Sequence, residues 1–404
     1  MSISKRAQII PESITLKLNT LAGKLKDEGR EVFNLTAGQL PCFPPDAFIE
    51  DLYKVAKETK SFQYSPVKGT EELRKNFTNY LEQTRGINIK DTHDSLVGNG
   101  GKAVLTNIIS SIVDPGDEVI LFAPYWISYP HMVGLCEGKL VMVGSGRQKF
   151  VPDLKQLEEK ITKKTKVIIL NSPSNPSGIY LSDEWMREFA VILKKHPNIL
   201  VISDEIYYEL AYDGKKPKYY YQFDKSLLAQ TFIVHGISKS LACTGLRIGW
   251  CVGPKEYINA IGRLQGHIAS GANSLTQEAL KNYNLFNTEN FLRPMLDTLR
   301  ENAGILKSEL HKRNLGNIWY EINSAFYFML NLKELPYFKK NSCSCSCSNT
   351  DQSFEMCKKL MEETGVVIVP SSDFGIDNHA RISMVLPAAK FQIAVAKILD
   401  FFTR

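Results

Sequence analysis

Three short apolar runs of this chain are each followed by residues able to do chemistry. After 167–170 comes Asn171-Ser-Pro-Ser-Asn175-Pro-Ser-Gly178, and after 200–203 comes Asp204-Glu-Ile-Tyr207. The run 231–234 leads to Gly236-Ile-Ser238-Lys239, and Arg247 follows in Thr-Gly-Leu-Arg-Ile-Gly-Trp, ahead of a fourth run. A lysine amine is a nucleophile toward carbonyl carbon, and an arginine fork grips an oxyanion with two prongs. Taken singly, each residue has an ordinary reading: a solvated lysine, a helix-capping aspartate, an Asn-Pro turn. Placed together at successive strand ends, where open α/β sheets hold their ligands, they describe a site. Gly100-Gly101-Lys102 adds a helix start, whose free backbone N–H groups favour an anion. Lys102 opposes the helix dipole there by about 0.3–1 kcal/mol, which a nearby anion rationalises.

The elements that must position these residues follow from periodicity. The apolar runs 118–122, 140–143, 167–170, 200–203, 231–234 and 248–252 are short and rich in β-branched residues, as buried strands are. Helical stretches separate several of them, notably 102–113 and 182–195. That alternation predicts an α/β fold with a mostly parallel central sheet covered by helices. Upstream, Ile14, Leu18, Leu21, Ala22 and Leu25 recur at helical spacing. A second helix starts at Thr70, taken as its N-cap, and ends near Gly86. Beyond 290 the pattern changes to a long helix (291–313), a strand (325–332), a helix (353–363), two short strands (366–369, 381–385) and a last helix (388–402). This predicts a second, smaller α+β domain formed by 1–45 and 290–404, with 46–289 as the large domain.

Composition sets the outer limits. The chain has 404 residues, 44% hydrophobic and 23% charged, the balance of a folded globular protein. No apolar run approaches the roughly 20 residues that span a bilayer, and the first residues lack the apolar stretch of a signal peptide. The expectation is a cytoplasmic protein with no membrane partner. A formal net charge of +6, with no basic run, gives no reason to expect nucleic-acid binding. The cysteine spacing matches neither a zinc site nor a redox pair, so no metal is expected. Cys343, Cys345 and Cys347 fall in a Ser/Cys-rich stretch that reads as a loop.

Jointly the motifs are specific. Tyr64-Ser-Pro-Val-Lys-Gly69, Gly100-Gly-Lys102, Asp114-Pro-Gly-Asp-Glu-Val, Pro124-Tyr-Trp126, Asn175-Pro-Ser-Gly, Asp204-Glu-Ile-Tyr207, Ser238-Lys239, Arg247-Ile-Gly and Ala380-Arg381-Ile-Ser run nearly the length of the chain. In them the chain resembles fold-type I pyridoxal-phosphate aminotransferases (class I/II, the aspartate aminotransferase superfamily), in particular the bacterial branch with Gly-Gly-Lys.

The resemblance implies a role for each residue. Lys239 would condense with the aldehyde of pyridoxal 5'-phosphate and then act as the base at the substrate Cα. Asp204 would pair with the pyridine nitrogen, making the ring an electron sink. Tyr207 and Asn175 would donate to the ring's phenolate oxygen, and Trp126 would stack on the ring. Gly100, Gly101, Ser238 and Arg247 would cup the phosphate, with Tyr64 reaching it from the neighbouring subunit of a homodimer. Arg381 would take the substrate α-carboxylate beside Gly38 and Asn175, and Lys102 the distal carboxylate. The implied activity moves the amino group of aspartate or glutamate to a 2-oxo acid such as 2-oxoglutarate. Aromatic or prephenate donors, and pyridoxal-phosphate β-lyase chemistry, are the alternatives. Two places depart from the family. The residue three before the lysine, commonly a hydroxyl residue, is Gly236, and the Gly-x-Pro-Asp-Phe-x-x-Pro loop reads Gly38-Gln-Leu-Pro-Cys-Phe-Pro-Pro45.

Overall fold

The computed structural model describes residues 3–8, 10, 14–341 and 351–404, so the Ser/Cys-rich stretch at 342–348 lies outside the described residues. Seven strands form the main sheet: β1 (His93–Gly98), β2 (Glu118–Phe122), β3 (Lys139–Val143), β4 (Thr165–Asn171), β5 (Leu200–Asp204), β6 (Thr231–Gly236) and β7 (Gly249–Pro254). Their order is β1-β7-β6-β5-β4-β2-β3. The stretch from β6 to β3 is parallel, and β7 runs antiparallel to both β6 and β1. The α/β expectation holds, and all six expected strands are present. β1 is the addition. Its His93, Asp94 and Ser95 break the apolar run that would have revealed it, because Asp94 points to Lys68 (2.8 Å) and Arg74 (3.0 Å) instead of the core.

Strand order fixes where ligands go. The chain lays down β2 and β3 toward one edge, returns to β4 beside β2, then proceeds outward through β5 and β6. The crevice at that reversal lies outside the carboxyl ends of the strands. Because β7 is antiparallel, its first residue pairs with the last of β6 (Gly236↔Gly249), and the end of β1 joins them (Gly98↔Gly249). The segments after β1, β2, β4, β5 and β6, and the one before β7, therefore meet at one rim.

Helices clothe the sheet for reasons local to their sequences. Gly101–Ile112 buries Val104, Leu105, Ile108, Ile109 and Ile112, a stripe at helical spacing. Asp183–Lys194 opens where the Ser182 side chain accepts from Trp185 N, carries Asp183 and Glu184 in its first turn, and ends on Lys194. The helix Glu71–Arg85 stops at Gly86, whose φ of 62° is left-handed. Its start differs from expectation. The Thr70 side chain makes no capping bond, and its backbone N–H donates to Gln277 Oε1 (3.0 Å), which draws Thr70 toward the helix Ser274–Asn282.

A second core assembles on the other side of the rim. β8 (Tyr327–Asn331), β9 (Val369–Pro370) and β10 (His379–Ser383) form a three-stranded antiparallel sheet in the order β9-β10-β8. The long helix Thr288–Lys312 and the last helix Ala388–Thr403 pack together and bury Leu299, Leu306, Ile398 and Phe402 with that sheet. The N-terminal helix Ile14–Asp27 joins this side, its Leu18 and Ala22 meeting Met361 and Val367, while Phe33–Asn34 pairs in parallel with Val366–Val367.

Candidate active site

A cavity of about 350 Å³ opens at the rim. Gly38, Gly101, Lys102, Trp126, Asn175, Asp204, Tyr207, Ser238, Lys239, Arg247 and Arg381 all line it. Two expected residues do not. Gly100 stands just behind the wall, with Arg247 packed against it. Tyr64 is 98% exposed and outside the cavity.

Asp204 ends β5 and is almost wholly buried. One carboxylate oxygen accepts from the Tyr129 hydroxyl (2.6 Å) and the other from Ile206 N (3.2 Å). Burial nonetheless dominates and pushes its pKa from 3.8 up to about 6, the two donors opposing the rise. Tyr129 was not among the expected residues. Its signal was its place in Pro124-Tyr-Trp126-Ile-Ser-Tyr129, one helical turn past Trp126. Next to Asp204 in register stands Asn171, which donates to Asp204 O (3.0 Å) and accepts from Asn175 N (2.9 Å).

Lys239 sits in the short helix Ile237–Ser240, which follows β6 directly. Its ammonium donates to Gly38 O, on the segment between Phe33–Asn34 and the helix Asp46–Val55. Burial, then the nearby charges of Arg381 and Arg247, lower its pKa from 10.5 to about 8. A lysine so placed is neutral in a useful fraction near physiological pH, as a nucleophile or base must be.

The end of the cavity at Gly101 and Arg247 is built from close backbone approach. A Cβ added at Gly249 would lie 2.3 Å from Gly101 N, and one at Gly100 would lie 2.5 Å from Arg247 Nη2. Glycine at 249 lets β7 meet the helix start, and glycine at 100 leaves room for the Arg247 guanidinium. Arg247 itself has φ 55°, a left-handed backbone unusual outside glycine, and donates to Thr244 O (2.9 Å). At Gly236 a Cβ would meet Ile248 O at 3.0 Å and Gly249 Cα at 3.1 Å, so the departure there accompanies a tight β6–β7 crossing.

Across the cavity, Arg381 on β10 donates from Nη1 to Asn175 Oδ1 (2.9 Å) and from Nη2 to Thr36 O (3.1 Å). Its guanidinium lies 4.4 Å from the Tyr327 ring centre, and its buried Nε has no protein partner. A buried donor of that kind is completed by a ligand or a water. Tyr207 OH lies 3.4 Å from Asn175 Nδ2 and 3.3 Å from Tyr327 OH. Tyr327 and Thr36 were likewise not anticipated, since a tyrosine in an apolar strand and a backbone carbonyl carry no motif of their own. The Lys102 ammonium stands 5.1 Å from the Trp126 ring centre, and burial, then Arg247, lowers its pKa.

The lining thus sets Lys102, Lys239, Arg247 and Arg381 around the single carboxylate of Asp204. Such an arrangement suits a ligand with anions at both ends and a cationic centre.

The family model described as aminotransferase class I and II matches residues 30–398. The chain is 32% identical to an aspartate/prephenate aminotransferase of Nitrosomonas europaea over all of both chains. It is 33% identical to an aspartate aminotransferase of Bacillus subtilis over 99% of each. Its fold is similar to the crystal structure of the aspartate aminotransferase from Rhizobium meliloti, with a TM-score of 0.87, 28% identity, and coverage of 99% of this chain and 98% of that one.

Proposed function

The chain belongs to the class I and II aminotransferase family, and from that premise we propose that it carries the amino group of aspartate or glutamate to a 2-oxo acid such as 2-oxoglutarate on pyridoxal 5'-phosphate. One observation carries the reading: four cations surround one buried carboxylate in a single cavity, with a lysine amine of lowered pKa among them.

The residues fit the cofactor group by group. The amine of Lys239 fits its aldehyde, and Asp204 its ring nitrogen. A pyridinium there would place a cation directly against the buried Asp204 carboxylate, whose direct partners are the Tyr129 hydroxyl and Ile206 N. Gly101, Ser238 and Arg247 fit the phosphate, with Gly100 behind them leaving room for the Arg247 guanidinium, and Tyr207 with Asn175 fits the phenolate oxygen. When bound, pyridoxal phosphate supplies the electron sink for breaking bonds at the substrate Cα. The chain's own work is to orient and to move protons. Arg381 holds the α-carboxylate through the donors left after Asn175 and Thr36 are served. Trp126 covers one face, and Lys102 meets the distal carboxylate. The Lys239 amine would be the base that takes the Cα proton.

The same reading pairs the chain with a second copy, so that Tyr64 reaches the neighbouring phosphate. Its support is the exposure of Tyr64 beside other exposed apolar side chains, Tyr53, Phe62 and Ile268. These sit on segments joined through Ser65 Oγ to Ala272 O (2.8 Å) and by packing of Thr59–Phe62 on Ser274–Asn282. Among the described residues no helix is long and apolar enough to cross a membrane. A cytoplasmic setting, and domains divided as 46–289 against 1–45 with 290–404, complete the proposal.

Purified protein given aspartate and 2-oxoglutarate is expected to form glutamate. Lys102→Ala is expected to lower kcat/KM for aspartate roughly tenfold or more beyond its effect on phenylalanine, the worth of a charge-assisted contact. Equal losses on both donors would remove Lys102 from specificity. Pyruvate and thiol from cystathionine, without glutamate, would replace transfer by β-elimination.

A further inference from the structure

Behind the cavity lining lies a buried Glu–His pair that joins the two strand ends on which the site depends. His235 is the last residue but one of β6, 0% exposed, and Lys239 follows four residues later. Glu209, 2% exposed, lies in the single turn Tyr208–Leu210 that follows Asp204 and Tyr207. Gly236 N–H donates to His235 Nδ1 (2.7 Å), so the ring proton sits on Nε2. That nitrogen lies 3.0 Å from Glu209 Oε1, within ion-pair distance but off the line of a hydrogen bond, and Glu209 Oε1 accepts from Tyr80 OH (2.5 Å). The imidazole has little freedom to turn. It stacks on Trp250 of β7 (4.7 Å between ring centres), Trp250 stacks on Phe77 (3.9 Å), and Tyr80 meets the imidazole edge-on.

We propose that His235 and Glu209 are positioning residues that hold the Lys239 turn in register with the Asp204–Tyr207 loop. This rests on the reading of Lys239 and Asp204 as the residues that hold the cofactor. Three observations favour a positioning role over a polar pair that only fills the core. The pair joins two separate chain segments, each of which carries a site residue a few positions away. One end of the imidazole grips the backbone N–H of Gly236, the residue from which the Lys239 turn departs, and not merely a side chain. The other end meets a carboxylate that stays charged although buried. Burial pushes Glu209 upward, but His235, Tyr80 and Arg85 outweigh it and hold it at about 2. The neighbouring Arg85–Glu205 pair (2.9 Å), capped by Tyr221, keeps Glu205 occupied and leaves Glu209 to His235. Neither His235 nor Glu209 lines the cavity, so they act through Gly236 and the loop.

The two ring nitrogens are separable by substitution. His235→Asn keeps an acceptor near Nδ1 for Gly236 N–H, His235→Gln keeps a donor near Nε2 for Glu209, and His235→Ala keeps neither. Amide exchange over 236–241 in the cofactor-free protein and steady-state kinetics of the reconstituted enzyme are measured for all three, with melting temperature alongside. His235→Ala is expected to speed exchange over 236–241 about tenfold. It is expected to lower kcat about tenfold or more with KM within about twofold, as misplacement of a reacting group does. The Asn and Gln variants are expected between Ala and the parent in both readouts, and they decide the matter if the Ala variant does not fold. Parent-like kcat and exchange in the variants that fold would overturn the proposal. So would losses that track melting temperature and spread evenly over the chain. A parent protein that takes up no pyridoxal phosphate contradicts the function itself, and the pair's role falls with it.

Discussion

At the scale of single residues, Asp204 shows how burial and function meet. Its carboxyl is raised from 3.8 to about 6 in the folded chain. Across that window the folded state holds a proton that the unfolded state has released, so this group's contribution to stability falls as pH rises. In the cofactor-free protein, Asp204→Asn is therefore expected to gain stability relative to the parent between pH ~4 and ~7, by up to about 3 kcal/mol. Urea denaturation at several pH values measures this, and a difference independent of pH would contradict the burial of an unpaired Asp204. Cofactor binding is expected to reverse the sign, because a ring cation favours the charged carboxylate. The residues that gather in the cavity were legible in the sequence because chemistry-bearing types at strand ends have few other reasons to recur together. Tyr129 was not. A tyrosine three residues past Trp126 reads as ordinary helix packing until its hydroxyl is found 2.6 Å from Asp204.

At the scale of elements, the site is a product of strand ends and glycines. Gly249 starts β7 where a side chain would strike Gly101 N and Gly100 C. Gly249→Ala is expected to push the helix start away from β7 and weaken pyridoxal-phosphate binding roughly tenfold or more, the usual scale of overpacking. Equilibrium titration of the cofactor checks this, and parent-like affinity would show that the close approach does not shape the phosphate cup. The strands that lead to Asp204 and Lys239 were readable because each holds a short apolar run, as parallel strands buried on both faces do. β1 was hidden by His93, Asp94 and Ser95, and Thr70 lost its expected capping role to a tertiary contact with Gln277. In both cases a long-range partner overrode the local pattern.

At the scale of the molecule, two cores meet over one cavity, and each contributes a binding end. Arg381 comes from the small antiparallel sheet and Lys239 from the large sheet, yet both line the same space. Anything that moves one core against the other changes the distance between the Arg381 guanidinium and the Lys239 amine. The exposed Tyr64 adds a third contributor if a second copy supplies it. Mixing inactive Tyr64→Ala and Lys239→Ala subunits is expected to restore about a quarter of parental activity, since each hybrid of a two-fold dimer holds one intact site. No recovery after subunit exchange would place Tyr64 outside the neighbour's site. Sequence patterning showed both units, because the strand spacing changes near residue 290. It did not show how the N-terminal helix docks, which depends on Leu18 and Ala22 meeting Met361 and Val367 far along the chain.

The most direct test is to locate the cofactor on the chain. Protein reconstituted with pyridoxal phosphate, reduced with borohydride and digested, is expected to carry the pyridoxyl mass on the peptide containing Lys239, with the violet-region absorbance absent from Lys239→Ala. Label on a different lysine, or an unchanged absorbance in the variant, would contradict the site.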